Sequence, residues 1–213
     1  MDKPNGLLGF YNYTVVLTYI GMITGFIGVV LSLEGNGMAG VICLMIAGLC
    51  DMFDGTVAST KKDRTVPEKN FGIQIDSLSD LICFGVLPAS IGYGLNHHKA
   101  ALVISALYVL CALIRLAYFN VDEAERQKKS AGSREIYFGM PVTLSALIVP
   151  LVYAVVCLKA AKTYIAITIV QVLMGALFLI PIELKKPHMK GKICAVVIGI
   201  IEVVLVVLVG KGI

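Results

Sequence analysis

The 213-residue sequence contains no tryptophan, and only 15% of it is charged against 58% hydrophobic. That balance excludes an ordinary soluble globular chain, and no polar stretch is long enough to form a soluble domain. Nor is there a ten-residue alternation of apolar and polar residues. A transmembrane barrel is therefore excluded, which leaves helices as the element that satisfies its own backbone in lipid. The six cysteines (Cys43, Cys50, Cys83, Cys111, Cys157, Cys194) show no CxxC spacing and are scattered singly through apolar stretches. They read as small buried hydrophobes, without disulfides and without metal.

What remains is apolar runs. Seven stretches, 11–33, 38–59, 71–93, 100–119, 138–158, 163–184 and 192–210, approach or reach the ~20 residues a spanning helix needs. The expectation is an all-α integral membrane protein, one polytopic bundle of about seven spans in a single membrane domain covering 1–213. The first stretch follows a short polar-aromatic lead with no small-residue cleavage pattern, so it reads as a retained helix rather than a signal peptide. Basic residues cluster at Lys61, Lys62, Arg64 and Lys69, at Arg126, Lys128, Lys129 and Arg134, and at Lys185, Lys186, Lys190 and Lys192. The alternate connections hold only Lys99, Lys159 and Lys162. By the positive-inside rule the amino terminus and the three basic loops face the cytoplasm of a multi-pass cell-membrane protein, with the carboxyl terminus outside for seven spans.

Small residues recur at Gly21, Gly25 and Gly28 in the first span, a spacing that permits close helix approach. Pro88 and Pro150 fall inside spans three and five and are expected to kink them. The loop 120–137 carries charge of both signs and helical composition, which suggests an interfacial helix. Glu202, midway along span seven, reads as a protonated, paired or subunit-contact group. His97 and His98 read as solvated loop residues.

Against this background four aspartates stand out, in the pairs DMFDG (Asp51, Asp54) and DSLSD (Asp76, Asp80). Four acids at the bilayer centre would cost roughly 10 kcal/mol, and less near an interface. Asp51 and Asp54 lie about 60° apart on a helix and share a stripe with Gly55 and Ala58, while Gly72, Asp76 and Asp80 recur every fourth residue on the next span. The carboxylates fall about 6 to 14 Å below the cytoplasmic ends, near Ser59 and Phe71. The short basic connection makes the two spans antiparallel neighbours, so the pairs face one another. Well inside the spans the one basic residue is Arg115, too little charge to neutralise four acids. A hard-oxygen site for Mg²⁺, Mn²⁺ or Ca²⁺ fits, with small residues leaving room for a phosphate-bearing ligand. A cation pathway or proton relay would also account for the acids, though not for the small residues beside them.

DMFDGTVAS followed by GIQIDSLSD resembles the signature of the CDP-alcohol phosphotransferases, DxxDGxxAR then GxxxDxxxD. Asp51, Asp54, Gly55, Ala58, Gly72, Asp76 and Asp80 match; Ser59 stands where the signature has arginine, and the linker to Gly72 is a few residues longer than usual. Lys61, Lys62 or Arg64 would then bring the missing charge to a phosphate. DSLSDLICFGVLPA, RLAYFN (Arg115 to Asn120) and FGMP (Phe138 to Pro141) resemble the phosphatidylserine synthase branch of the family.

The resemblance implies a six-helix core with the seventh span as an addition, a homodimer, and transfer of a phosphatidyl group from CDP-diacylglycerol or an ether-lipid equivalent to L-serine. Related members with glycerol 3-phosphate or inositol phosphate as acceptor are the alternatives. It further implies that Asp51, Asp54 and Asp76 hold two divalent ions, that Asp80 acts as base with metal contact, and that Asp51, Gly55, Ala58, Ser59 and Gly72 meet the nucleotide. Serine, a zwitterion, calls for a cation and acceptors, for which Arg115 and Asn120 are the candidates, able to face one pocket only where the helix ends or bends between them because they stand about 140° apart; Lys62 and Arg64 are the further substrate-binding candidates, toward a phosphate. Membrane lipids are the other expected partner, and no nucleic acid is.

Overall fold

A computed structural model describes residues 7–95, 97–129, 136–158, 163–185 and 189–210. Its main elements are α1 (Val16–Leu33), α2 (Gly37–Thr60), α3 (Val66–Asp80), a π-helical turn (Leu81–Val86), α4 (Leu87–Gly94), α5 (Lys99–Lys129), β1 (Ile136–Phe138), α6 (Ser145–Leu158), α7 (Thr163–Leu179), β2 (Glu183–Lys185) and α8 (Met189–Gly210). The chain is thus an all-α polytopic membrane protein. Among the described residues four helical segments are long and apolar enough to cross a bilayer: Tyr13–Leu33, Gly37–Thr60, Val66–Gly94 and Lys99–Arg126. Among the described residues three further apolar helices, Val142–Val156, Thr163–Leu179 and Val196–Leu208, are shorter.

The helices start where side chains satisfy their first N–H groups. Asn36 accepts from Ala39 N at the start of α2. Thr65 and Glu68 form a reciprocal capping box at α3, with Pro67 in its first turn. Helix α1 packs closely along α2, with α3, the π turn and α4 beside it, while α5 packs on α7, and α6 on α7, α8 and α2.

On α1 the buried positions are Thr18, Gly21, Gly25, Gly28 and Ser32, and the large apolar side chains Ile20, Ile23, Phe26 and Ile27 face outward. This inversion suits lipid, where apolar area gains nothing by burial and close packing holds helices together. A Cβ at Gly25 would stand 2.6 Å from Cys83 Sγ, and one at Gly28 2.6 Å from Cys43 Cβ. Cys43, Cys50, Cys83 and Cys111 are free thiols; the side chains of Cys157 and Cys194 lie outside the described residues.

The π turn explains how Pro88 is accommodated. Lacking an N–H, Pro88 leaves the Phe84 carbonyl without its helical donor. Leu87 N reaches back to Ile82 O, and the freed Phe84 carbonyl instead accepts from Tyr108 Oη at 2.9 Å and Ser145 Oγ at 3.5 Å. The fully buried Tyr108 hydroxyl thereby ties α5 to the turn that follows the aspartates. Tyr108→Phe is expected to destabilise the protein by about 1–3 kcal/mol, the cost of an under-satisfied buried carbonyl, measured as a lower thermal midpoint in detergent.

Several boundaries differ from the sequence expectation. The helix expected from 138 begins with a 3₁₀ turn at Val142–Leu144, because Gly139 takes φ +78 and Pro141 follows it. The helix expected to reach 184 stops at Leu179, ahead of Pro181, and residues Glu183–Lys185 pair antiparallel with Ile136–Phe138. The expected interfacial helix within 120–137 is a direct continuation of α5 as far as Lys129, supported by the Glu123–Arg126 ion pair at 2.6 Å. At 31 residues α5 is roughly 46 Å long, more than the ~30 Å hydrocarbon core, so its charged end projects beyond it.

Candidate functional site

The cytoplasm-proximal ends expected for α2 and α3 carry the aspartates, and the five-residue turn between these helices brings them together as antiparallel neighbours. One carboxylate oxygen from each of Asp51, Asp76 and Asp80 lies within 4.8 Å of the others. The carboxyls also meet in cross-helix pairs, Asp54 with Asp76 and Asp51 with Asp80. Two bare carboxylates about 4 Å apart repel by about 4 kcal/mol at an effective dielectric of 20. Such an arrangement of hard oxygens suits a divalent cation, and the cluster could hold one.

Helix α1 completes the site. Thr18 Oγ1 donates to Asp54 Oδ2 at 3.1 Å, and Ser79 Oγ donates to the Thr18 carbonyl at 3.4 Å. Thr18, Asp54, Ser79 and Cys83 are all buried. Sequence reasoning missed this contribution, although a signal existed: Thr14 and Thr18 continue the helical stripe of Gly21, Gly25 and Gly28.

A cavity of about 260 Å³ opens beside the acids, lined by Thr14, Val15, Thr18, Asp54, Gly55, Ala58, Ser59, Arg64, Gly72, Ile73 and Asp76. Asp51 and Asp80 line a narrower crevice that shares Thr18, Asp54 and Asp76 with it. The structure therefore gathers Gly55, Ala58, Ser59, Gly72 and Arg64 around one space, with the aspartates at its side. Gly55 differs in kind from the glycines of α1. Among the described residues an added Cβ there would meet nothing within 4 Å. No neighbouring helix among the described residues needs this glycine, so the room it leaves is room for a ligand.

The basic turn is organised by Glu68. Its carboxylate accepts from Lys61 Nζ at 2.8 Å, from Asn12 Nδ2 at 3.1 Å and from Thr65 N at 2.7 Å. This bond to Glu68 also raises the Lys61 ammonium above its ordinary pKa. Lys62 is exposed at the turn, and Ser59 Oγ bonds back to the Thr56 carbonyl at 2.7 Å.

Arg115 and Asn120 are placed differently. Because α5 runs through both without a break, they remain about 140° apart on the helix. Asn120 Oδ1 accepts from Ser77 Oγ at 2.8 Å, next to Asp76 on α3. The buried Arg115 donates from Nη2 to the Gly139 carbonyl at 3.4 Å and lies over the Phe119 ring, 5.6 Å from its centroid. Glu202, on α8, is 1% exposed, and neither of its carboxylate oxygens has a hydrogen-bond partner among the described residues.

The sequence matches the profile of the CDP-alcohol phosphatidyltransferase family over residues 11–208. It is 28% identical over 177 residues to the archaetidylserine synthase of Methanothermobacter thermautotrophicus, covering 81% of this chain and 72% of that protein. To the CDP-diacylglycerol–serine O-phosphatidyltransferase of Methanocaldococcus jannaschii it is 28% identical, covering 86% and 82%. To the protein of the same name from Saccharomyces cerevisiae it is 32% identical, covering 71% of this chain and 51%, about half, of the yeast protein. The match contains every aspartate of the cluster and the whole wall of the adjoining cavity, and the chain belongs to the CDP-alcohol phosphatidyltransferase family.

Proposed function

We propose that the chain transfers a phosphatidyl group from CDP-diacylglycerol, or an ether-lipid equivalent, to L-serine, giving phosphatidylserine or its ether counterpart and CMP. The observation that carries this reading is the aspartate cluster opening sideways into a cavity that Gly55 and Ala58 keep clear. The serine-using relatives support the acceptor. Attack by the serine hydroxyl oxygen on the phosphatidyl phosphorus forms one P–O bond as the P–O bond to CMP breaks. Asp80 takes the hydroxyl proton, which a poor nucleophile must lose as it attacks.

Asp51, Asp54, Asp76 and Asp80 would hold the divalent ions, Mg²⁺ or Mn²⁺ with Ca²⁺ as a further ligand-compatible ion and two as the expected number. When bound, such ions neutralise pyrophosphate charge and stabilise the departing CMP. The chain itself orients the set: Thr18 holds Asp54, and Ser79 fixes the Thr18 backbone. Gly55 and Ala58 would lie along the nucleotide, with Gly72 serving it through the neighbouring Arg64 side chain. The mouth of the site is proposed to open at the cytoplasmic face of the cell membrane, a reading that the basic turn after α2 supports, with acyl chains entering from lipid and serine from water. The protein is proposed to act as a homodimer.

Arg115 is proposed to meet the serine carboxylate; Asn120, about 140° away on the unbroken α5 and bonded to Ser77, does not share that pocket. Arg115→Ala is expected to raise the serine KM by about tenfold or more, the loss of one charge-assisted contact. The donor KM should stay unchanged. Steady-state kinetics with each substrate varied in turn checks this. The reading as a whole is tested by offering serine, glycerol 3-phosphate and inositol phosphate separately with CDP-diacylglycerol: CMP should form with serine.

A further inference from the structure

We propose that Arg64 is the residue that grips the donor's pyrophosphate, in place of the signature arginine that Ser59 replaces, and that Gly72 seats it. The inference deepens the proposed function and rests on the cavity being the CDP-donor site. Ser59 supplies no charge, and its hydroxyl is spent on the Thr56 carbonyl of its own helix. Of the three cations in the turn, Lys61 is ion-paired with Glu68 and Lys62 points into solvent exposure, while Arg64 lines the cavity with Gly55, Ala58 and Gly72.

The Arg64 guanidinium is held but not satisfied. Nη1 donates to the Ala58 carbonyl at the end of α2 and Nη2 to the Glu68 carbonyl in the first turn of α3, each at 3.4 Å, the long limit of a hydrogen bond. Nε is buried and has no partner among the described residues. A guanidinium offers five N–H donors in a planar fork, the geometry that takes two phosphate oxygens at once. Two long bonds fix its position and leave most of that capacity open.

Gly72 makes the seat possible. A Cβ there would stand 2.6 Å from Arg64 Nη2, closer than the two atoms can approach. In this chain, then, the glycine before the second aspartate pair clears space for an arginine side chain, and a methyl group at 72 would push the guanidinium out of the cavity wall. The two residues act as one unit, and their substitutions should not add.

The test measures CMP binding by equilibrium dialysis, together with the KM for CDP-diacylglycerol and for serine, in wild type, R64A, G72A, R64A/G72A, R64A/S59R and K69A. R64A is expected to raise both the CMP dissociation constant and the donor KM by about tenfold or more, as for one charge-assisted contact, with the serine KM unchanged. G72A should reproduce the effect, the double variant should be no worse than R64A, S59R should restore part of the loss, and K69A should change nothing. Should R64A not fold, R64Q, which keeps the stem and two donors, takes its place. Unchanged CMP binding and donor KM in a folded Arg64 variant, or losses from R64A and G72A that multiply, would overturn the proposal. If wild-type protein binds CMP but makes no product with serine, the proposed acceptor fails while the dialysis still decides the role of Arg64.

Discussion

Replacing Asp80 with asparagine should abolish serine-dependent CMP release, by about 10²–10⁴-fold, the usual contribution of a positioned general base. Asparagine preserves the size and shape of the side chain but cannot take the serine proton. Asp80 is the last residue of α3, immediately before the π turn, and one of the three aspartates whose oxygens converge. Removing one of several mutually repelling carboxyls should not unfold the bundle; it relieves repulsion between half-buried charges. The expected result is therefore an inactive protein with an undiminished thermal midpoint. A fall in activity that merely followed a fall in stability would instead mark Asp80 as structural.

The second large effect separates two kinds of glycine that look alike in the sequence. Gly55→Val should leave the protein as stable as wild type or slightly more so, because glycine inside a helix is unfavourable and nothing stands within 4 Å of the added Cβ. Activity should nevertheless fall by about 10²-fold, the scale expected when a bound substrate is displaced by about 1 Å. Gly28→Val should do the opposite. Its Cβ would meet Cys43 and Leu87 within 3.0 Å, and overpacking of this kind costs about 1–3 kcal/mol. Its thermal midpoint should drop, while the enzyme that remains folded keeps its KM for the donor. Thermal melts and donor kinetics on the two variants, side by side, check both halves. Loss of stability at Gly55 without loss of donor affinity would mean that the cavity is not where the nucleotide lies.

Much of the site was legible because its grammar is helical periodicity. Asp51, Asp54, Gly55 and Ala58 share a face by spacing alone, as do Gly72, Asp76 and Asp80, and a five-residue connection can join them only as antiparallel neighbours. Polytopic helical architecture followed from the apolar runs in the same way. What spacing could not show was anything set by a break in that periodicity or by a partner far along the chain. The π turn at Leu81–Val86 changes the register after Asp80, and no simple residue pattern announces it. Thr18 reaches Asp54 across 36 positions of sequence, so its place in the site depended on how α1 packs.

The expected pairing of Arg115 with Asn120 required α5 to end or bend near 120. The charged residues after 120, read as a separate interfacial helix, instead prolong α5 without interruption. Similarly, hydropathy carried the fifth and sixth apolar stretches through Gly139 and Pro181. There the backbone turns, since glycine at positive φ and proline without an N–H end helices whatever the surrounding hydrophobicity.

The most direct measurement follows both products of one reaction. Purified protein in detergent or vesicles is given CDP-diacylglycerol, Mg²⁺ or Mn²⁺ and radiolabelled serine, with Asp80→Asn protein alongside. Label should enter a lipid-soluble product in a one-to-one ratio with CMP, dependent on serine and absent with the variant. CMP formation no greater than in the Asp80→Asn protein, or CMP released without label entering lipid, would contradict it.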